Sequence, residues 1–343
     1  MSYKTVPVEE AVGMVLPHDV TEIVPGGKKG PAFRKGHIIR PEDVEHLKRL
    51  GKNHIYILEL TPDELHENDA ARILAEAAAG PGITYDPNPS EGKITFKAAV
   101  DGMLLVQVEA LLRFNMLGEI MLATRHRYSL VRAGETVGAG RAIPLVVARK
   151  VVEEGAAIAR EAGGLMEVRR QVIRRGAVVV TGQEVFEGRI EDRFGPAMEE
   201  KLAHYGVECC YTAIAPDRVE VIAGHIRRAM DEGAEIVLCT GGMSVDPDDV
   251  TRKAIREAGA GDQCYGAPVI PGAMFMVSRI GPVPVLGIPA CGMYFKTTVL
   301  DLILPRLLHG LEVGRAEVAA LGHGGLCLGC KRCSYPVCPF GKG

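Results

Sequence analysis

Ala234-Glu-Ile-Val-Leu-Cys-Thr-Gly-Gly-Met-Ser244 decides the fold of this chain, because an almost wholly apolar run here ends in two glycines. Such a run predicts a strand that is buried on both faces. Comparable runs lie at Gly176–Thr181, Gly206–Tyr211 and Val283–Ile288, with amphipathic helix patterns between them. Strands that alternate with helices predict an α/β domain, a three-layer, doubly wound and mostly parallel sheet.

Outside this region, the sequence predicts a different organisation. The chain divides into a small α+β segment, a β-rich module, the α/β domain and a cysteine-rich tail, at residues 1–62, 63–148, 149–312 and 313–343. A helix is expected at Arg40–Leu50, where Pro41 opens the pattern and Gly51 closes it. A second helix, at about Ala148–Ala162, is expected to lead into the α/β domain.

The composition excludes several classes of protein. The 343 residues are 47% hydrophobic and 24% charged, which is a globular composition with room for two or three domains. The net charge is −3, from 40 basic and 43 acidic residues, and gives no electrostatic reason to expect binding to nucleic acid or an anionic membrane. No apolar run approaches the roughly 18 residues that span a bilayer. The amino-terminal sequence lacks a signal-peptide pattern, so we expect a cytoplasmic protein.

Three loops are expected to meet at one edge of the sheet, because ligands bind at the carboxyl ends of parallel strands. They are the loops that begin at Thr181, Thr240 and Pro289. Backbone N–H groups at the glycines, the hydroxyl of Ser244 and a helix N-terminus would together suit an oxyanion.

Each loop also has a purely structural interpretation. Asp248 and Asp249 suit helix capping, Glu184 suits a solvated turn, and Gly292 suits the start of a helix. Val269–Phe275 by itself predicts a plain hairpin.

Five motifs in this order resemble the molybdopterin-binding domain family, which includes MoeA-, MogA- and gephyrin-like proteins. Thr181–Val185 resembles the family's Thr-Gly-Asp-Glu-Leu, and Gly188–Asp192 its Gly-x-Ile-x-Asp. Thr240–Thr251 resembles Gly-Gly-Val-Ser-x-Gly-x-x-Asp-Tyr. Val269–Ala273 stands where the family has Lys-Pro-Gly-Lys-Pro, and Leu286–Gly292 where it has Gly-Leu-Pro-Gly-Asn-Pro. The likeness covers roughly residues 174–310.

The resemblance implies a role in molybdenum-cofactor biosynthesis. The ligand would be molybdopterin or adenylyl-molybdopterin, and a MoeA-like molybdotransferase would insert molybdate with the help of Mg²⁺. The implied catalytic residues are Glu184, Asp217 and Asp249, of which Glu184 and Asp249 would also bind Mg²⁺, a hard ion that prefers oxygen ligands. The implied cofactor-binding residues are Thr181, Gly182, Thr240, Gly241, Gly242, Met243, Ser244, Pro271, Gly272, Pro289 and Gly292.

The sequence departs from the family's motifs at two lysines, whose positive charges would contact an oxyanion. Ile270 and Ala273 replace the two lysines of the Lys-Pro-Gly-Lys turn, which should weaken binding of phosphate or molybdate. Lys296 and Arg279 are the candidate replacements. Pterin binding is therefore the stronger expectation, and molybdate insertion is the weaker one.

Four cysteines crowd into the tail, at Cys327, Cys330, Cys333 and Cys338. In a cytosolic protein such spacing favours metal ligation over disulfides. The pattern is close to the bacterial ferredoxin run but one residue longer, so an iron–sulfur cluster and a Zn(Cys)₄ site are both open. The alternative is a tail whose thiols bind no metal stably.

Three functions remain open at this point. The first is a molybdotransferase, and the second is a non-catalytic carrier or sensor of molybdopterin or the finished cofactor. The third is a hydrolase of nucleotides or amides, similar to the CinA group of the same fold. The expected partners are the pterin and a molybdoenzyme or another cofactor-assembly protein, and we expect a homo-oligomer, either a dimer or a trimer.

Overall fold

The computed structural model describes residues 4–23, 29–57, 60–244, 246, 250–261 and 264–343. Contacts within the chain separate it into two units, Met1–Arg169 and Arg170–Gly343. In the described ranges, no helix is both long enough and apolar enough to cross a bilayer.

The beginning of the first unit is a small α+β arrangement. Its elements are β1 Lys4–Pro7, β2 Val20–Ile23, β3 Lys29–Phe33, α1 Asp43–Arg49 and β4 His54–Ile57. β1 pairs with β4 and β2 pairs with β3, both in antiparallel fashion. Leu47 of α1 and Ile55 of β4 are buried in one apolar core. The helix therefore lies inside the range that the sequence predicts.

The rest of the first unit contains short antiparallel strands and three helices. They are β5 Glu64–His66, α2 Glu67–Ala78, β6 Ile83–Tyr85, β7 Lys93–Ala98, β8 Gly102–Val106, α3 Val108–Asn115, β9 Ile120–Thr124, β10 Leu130–Val131, β11 Thr136–Ala142, β12 Val146–Ala148, α4 Arg149–Glu161 and β13 Met166–Arg169. The larger sheets have the orders β6-β7-β11-β9 and β10-β8-β13. The strands match the β-rich prediction, and α3 adds a helix between β8 and β9.

Helix α4 packs in the first unit, whereas the sequence analysis grouped it with the α/β domain. Val152, Ala156 and Ala159 repeat at helical spacing and are buried with α2 in a single core. Gly155 allows a close approach, since an added Cβ would lie 2.4 Å from Ile120 Cδ1. An apolar stripe specifies that a helix is covered on one side, and it does not specify which neighbour covers it.

The second unit alternates strands with helices. Its elements are β14 Arg175–Thr181, α5 Gln183–Phe186, α6 Phe194–His204, β15 Glu208–Ala215, α7 Val219–Asp231, β16 Ile236–Thr240, α8 Thr251–Glu257, β17 Cys264–Tyr265, β18 Met276–Ile280, β19 Val283–Ile288, α9 Cys291–Tyr294, α10 Val299–Leu308 and α11 Arg315–Ala320. They build a six-stranded sheet of order β15-β14-β16-β19-β18-β17.

The sheet is mostly parallel and covered on both faces, which confirms the predicted α/β class. β14, β15, β16 and β19 run in parallel, and β18 alone reverses direction. Along β14, Val178 and Val180 face a core with α6 and α10, whereas Ala177 and Val179 face a core with α7 and α8. Opposite faces of one strand thus fill two cores, and the domain has three layers.

The closing helix begins later than the sequence indicated. The apolar pattern of Phe295–Leu308 predicts a closing helix over that whole range, but α10 starts at Val299. The Thr298 side chain accepts a hydrogen bond from the Leu300 amide, and the Asp301 side chain accepts one from the Thr298 amide. This capping box fixes the start of α10 and separates it from the short helix α9.

Candidate functional site

The carboxyl ends of four strands lie at one edge of the sheet. In the strand register, Thr181 is opposite Ala215, Val180 is opposite Thr240, and Thr240 is opposite Ile288. The loops that follow β14, β15, β16 and β19 therefore leave the sheet at the same level. The three loops chosen from the sequence meet at this edge, and the loop after β15 joins them.

The loop after β14 is joined by hydrogen bonds to the loop after β15. The Gly182 amide donates to the carbonyl of Ala215 at 3.2 Å, and the Gln183 amide donates to Asp217 Oδ2 at 2.8 Å. Asp217 is half-buried, and Glu184 is exposed on the short helix α5. Asp217 thus helps to hold the two loops together. Catalytic roles for Glu184 and Asp217 stay predictions.

Three threonines connect the ends of β14 and β16 to helix α8. The Thr181 hydroxyl donates to the Thr240 carbonyl at 2.9 Å and lies 2.9 Å from the Thr251 hydroxyl. All three residues are buried. The Thr240 hydroxyl is also buried, and it has no hydrogen-bond partner among the residues that the structure describes.

Gly241 and Gly242 are required by close packing. Both have left-handed φ angles, +81° and +55°. An added Cβ on Gly241 would lie 2.4 Å from the carbonyl oxygen of Thr181, and one on Gly242 would lie 2.5 Å from Thr251 Oγ1. The sequence pattern suggests that these glycines contact a ligand, but the fold alone already requires them.

Met243 and Ser244 differ in how far their side chains are buried. The Met243 side chain is 3% exposed and lies against Gly287 of β19, so it belongs to the core and cannot cover a ligand. Its carbonyl accepts a hydrogen bond from Tyr265 Oη at 2.8 Å. Ser244 is half-buried. Within the described part of the chain, the amides of Gly242, Met243 and Ser244 have no hydrogen-bond acceptor.

Asp249, which the resemblance implies as a catalytic and metal-binding residue, lies outside the described residues, and so does Asp248.

The loop after β19 offers fewer free donors than the sequence suggested. The Gly292 amide donates to the carbonyl of Pro289 at 2.9 Å, so it is already used within the turn. An added Cβ on Gly292 would lie 2.9 Å from Ile288 Cγ2. Pro289 is buried. These two residues shape the turn into α9, in keeping with the structural interpretation of Gly292.

The Pro271-Gly272 turn packs on the first residue of α10. The Val299 amide donates to the carbonyl of Pro271 at 3.2 Å, and an added Cβ on Gly272 would lie 2.4 Å from Val299 Cγ1. The neighbouring Ile270 is bridged to the tail, since its amide donates to the carbonyl of Gly325 and its carbonyl accepts from the Cys327 amide. The turn is therefore held from two sides.

The structure places one of the two candidate replacement cations, Arg279, away from the site. Arg279 of β18 is opposite Pro284, at the start of β19, and donates to the carbonyl of Pro282. It therefore lies toward the edge of the sheet opposite the loops. Lys296 is exposed, and its carbonyl accepts a hydrogen bond from Lys201 Nζ.

The tail cysteines are not gathered into a metal site. Cys327 and Cys338 are half-buried against the core, whereas Cys330 and Cys333 are exposed. Across the described ranges, no three His, Cys, Asp or Glu side chains lie close enough to hold a metal ion, which differs from the sequence expectation for the tail. The Mg²⁺ site stays a prediction, because Asp249 lies outside the described residues. Hydrogen bonds from the Thr297 hydroxyl and the Tyr335 amide lower the pKa of the Cys333 thiol.

Sequence reasoning missed two residues beside the loop after β16. Arg252, on α8, places its guanidinium carbon 3.7 Å from the centre of the Tyr265 ring. Tyr265 in turn holds the Met243 carbonyl. Neither residue stands in a motif that the sequence analysis used, and Tyr265 lies on a strand of two residues. Their proximity arises from the packing of α8 beside β17.

Comparison with known proteins gives two family matches. Residues 177–309 match the family described as "Probable molybdopterin binding domain". Residues 5–59 match a family described only as a domain of unknown function.

Individual relatives match over short stretches. A CinA-like protein of Mycobacterium tuberculosis is 33% identical over 84 residues, which are 24% of this chain and 20% of that protein. A CinA-like protein of a Mycobacterium species, strain MCS, is 38% identical over 77 residues, 22% of this chain and 18% of that protein. The chain thus spans about a fifth of the length of these relatives.

Two of the solved structures that match this chain cover less than half of it. CinA from Thermoplasma acidophilum is 14% identical, with a TM-score of 0.35, and the match covers 38% of this chain and 96% of that one. The molybdopterin biosynthesis enzyme MoaB from Thermus thermophilus is 20% identical, with a TM-score of 0.34, covering 40% of this chain and 98% of that one.

Proposed function

From the match of residues 177–309 to the molybdopterin-binding domain family, we propose that the α/β domain binds molybdopterin at the carboxyl edge of its sheet. The anionic end of the pterin would contact the loop Gly241–Ser244. The observation that carries this proposal is the set of amides at Gly242, Met243 and Ser244, which have no acceptor in the described part of the chain. Oriented amides of this kind are favourable partners for a phosphate or another oxyanion.

Two further features support binding at this edge. The Thr181, Thr240 and Thr251 contacts hold the loop in one conformation, so little conformational entropy would be lost when a ligand binds. Gly182, with a φ of +150°, leaves the space beside the Thr181 end of β14 clear of a side chain.

Molybdate insertion is a finer proposal, and it rests on Glu184, Asp217 and Asp249. The described residues do not form a Mg²⁺ site by themselves, because no three ligating side chains among them lie close enough to hold a metal ion. We therefore derive no step through Mg²⁺. Carriage of the cofactor to a molybdoenzyme requires binding alone, and it is the function that the site supports best.

Nucleotide hydrolysis is the second candidate function. The observation that favours it is the identity of 33% over 84 residues to a CinA-like protein. A phosphate-bearing nucleotide would use the same amides as a phosphorylated pterin. Homo-oligomer formation and an acceptor molybdoenzyme stay predictions.

The decisive experiment is anaerobic purification of the full chain, followed by quantification of bound pterin and molybdenum. Binding without release of AMP from adenylyl-molybdopterin would support a carrier, and AMP release that depends on molybdate would support insertion. Nucleotide hydrolysis without any pterin binding would favour the second candidate. If the chain neither retains nor takes up pterin, the proposal is wrong.

A matched pair of variants locates the site. Ser244→Ala removes a hydroxyl at the proposed contact, and a hydrogen bond to a charged group contributes about 1.5–3 kcal/mol, which predicts roughly tenfold weaker binding or more. Ser129→Ala, in the first unit, removes an exposed hydroxyl that donates to the carbonyl of His126. This control should bind pterin as the wild type does.

A further inference from the structure

Arg252 is held in an unusual way for an arginine near a protein surface. Its guanidinium carbon lies 3.7 Å from the centre of the Tyr265 ring, a stacked cation–π arrangement. The side chain is half-buried. Among the described residues, it has neither a carboxylate partner nor a hydrogen-bond acceptor, and its Nε atom is buried without a partner.

The stacking partner is itself fixed to the loop of the proposed site. Tyr265 Oη donates to the Met243 carbonyl at 2.8 Å. The Tyr265 carbonyl accepts a hydrogen bond from Arg315 Nη2 at 2.8 Å, and the Gly266 carbonyl accepts one from Nη1 at 3.1 Å. The ring is therefore held by two contacts, and it links the Arg252 guanidinium to Met243, in the loop whose amides have no acceptor among the described residues.

A buried guanidinium N–H group without an acceptor is costly, and native structures normally satisfy such groups. Arg256, one helical turn further along α8, shows the usual alternative, because its side chain is exposed to solvent. The buried position of Arg252 Nε thus indicates an acceptor that the described residues do not themselves supply. A planar guanidinium is suited to bidentate contact with a tetrahedral oxyanion.

We propose that Arg252 is the anion-recognition residue of this domain, which binds a tetrahedral oxyanion together with the amides of Gly242–Ser244. The inference deepens the proposed function, since the anion would be the phosphate group of the pterin. It explains how the domain could bind an anion although Ile270 and Ala273 replace two lysines. The cation comes from α8 and not from the turn at Pro271.

The test compares Arg252→Gln with Arg256→Gln in the full chain by calorimetric titration. The probes are inorganic phosphate, molybdate, AMP and molybdopterin. For Arg252→Gln we expect about tenfold to a hundredfold weaker binding of each anion that the wild type binds, because a charge-assisted contact is lost. Arg256→Gln loses the same charge from the same helix and should bind as the wild type does.

Two more variants separate recognition from folding. Arg252→Lys keeps the charge but loses the planar fork, and we expect an intermediate loss with a steeper dependence on salt. Tyr265→Phe keeps the stacked ring but releases the Met243 carbonyl, and it should weaken anion binding less than Arg252→Gln does. Thermal unfolding of each variant identifies any that fails to fold.

The outcomes are distinguishable from failure of the proposed function. If the wild type binds pterin and Arg252→Gln binds it equally well, the inference is overturned while pterin binding stands. If the wild type binds no pterin but binds phosphate, molybdate or AMP through Arg252, the anion site stands and the pterin proposal fails. The comparison among these three anions then identifies the source of the oxyanion. If Arg252→Gln binds every anion as tightly as Arg256→Gln does, the inference is overturned. It is also overturned if the wild type binds no anion.

Discussion

The hydroxyl groups of Thr181 and Thr251 lie 2.9 Å apart, although 69 residues separate them in the chain. Since the Thr181 hydroxyl donates its proton to the Thr240 carbonyl, the Thr251 hydroxyl donates to Thr181 Oγ1. This contact fixes the end of β14 to the start of α8, on either side of the loop Gly241–Ser244. The geometry of the candidate site therefore depends on a pair of uncharged side chains.

Replacing Thr181 with valine is expected to destabilise the second unit. Valine has nearly the same shape, but it leaves the buried Thr240 carbonyl and the Thr251 hydroxyl without this partner. The free energy of unfolding should fall by about 1–3 kcal/mol, the cost of leaving buried polar groups unsatisfied. Urea unfolding measures the change, and Thr181→Ser, which keeps the hydroxyl, should cost less. Equal losses in both variants would contradict the role of the hydrogen bonds.

Gly241→Ala should be more harmful than Gly206→Ala. Both glycines have left-handed φ angles, +81° and +68°, so each substitution carries a conformational cost of about 1–2 kcal/mol. An added Cβ on Gly206 meets nothing within 4 Å, whereas one on Gly241 lies 2.4 Å from the Thr181 carbonyl oxygen. Thermal unfolding should show a clearly lower midpoint for Gly241→Ala, and similar midpoints would mean that the loop relaxes freely.

Cys333 is expected to react with iodoacetamide at lower pH than an ordinary cysteine. The Thr297 hydroxyl lies 3.3 Å from Cys333 Sγ and, with the Tyr335 amide, lowers the pKa of the thiol. A lower pKa means a larger thiolate fraction at neutral pH, and the thiolate is the nucleophile. Peptide mapping after timed alkylation measures the rate for each cysteine.

Thr297→Val tests the cause of this reactivity. The variant should alkylate Cys333 more slowly at neutral pH, because the pKa of the thiol rises toward its ordinary value. Cys239 serves as an internal control, since full burial raises the pKa of its thiol to about 12. An unchanged rate at Cys333 in Thr297→Val would show that the hydroxyl does not stabilise the thiolate.

Acidification should weaken the start of α2 in the first unit. His66 Nδ1 accepts a hydrogen bond from the Asn68 amide and contacts Lys35 Nζ at 3.0 Å, so the folded state requires a neutral ring. Burial lowers the pKa of His66, and burial also lowers that of His18. In the unfolded chain, the pKa of His66 is about 6.5, and in the folded chain it is lower. The stability that His66 contributes is therefore fully present above the unfolded pKa. It is lost as the pH falls through the folded pKa.

Hydrogen exchange of the α2 amides, corrected for intrinsic rates, measures this effect at pH 7.5 and pH 5. His66→Asn keeps a side chain that caps helices well but does not titrate, so it should reduce the loss of protection at low pH. His126→Asn changes an exposed histidine and should leave the loss unchanged. Identical pH profiles in all three proteins would rule out His66 as the responsible group.

Much of the second unit could be predicted from the sequence. Continuous apolar runs such as Ala177–Val180 are buried on both faces of the sheet, and the alternation with helices indicated parallel strands. The edge at which the loops meet followed from the same reasoning, because parallel strands end at a common level. Helix boundaries were less predictable, since the break before α10 depends on the capping contacts of Thr298 and Asp301.

The functions of individual residues in the loops were not predictable to the same degree. Gly241 and Gly242 suggest a ligand cradle in the sequence, but their close approach to Thr181 and Thr251 explains them without one. Regular spacing in the tail suggests a shared metal, yet the segment is held by Ile270 and by a hydrogen bond from the Gly341 amide to the Gly324 carbonyl, and its thiols stay apart. Spacing along the chain does not fix distances once the backbone has other partners.

The sequence by itself determined the α/β class of the second unit, its mostly parallel sheet and the loops that meet at the carboxyl edge, because apolar runs and their alternation with amphipathic helices are local, periodic properties. Only the tertiary structure decided that Met243 faces the core, that Arg279 lies toward the opposite edge, and that Arg252 stacks on Tyr265. Those positions depend on which elements pack side by side, and contacts between distant segments leave no periodic signal in the chain.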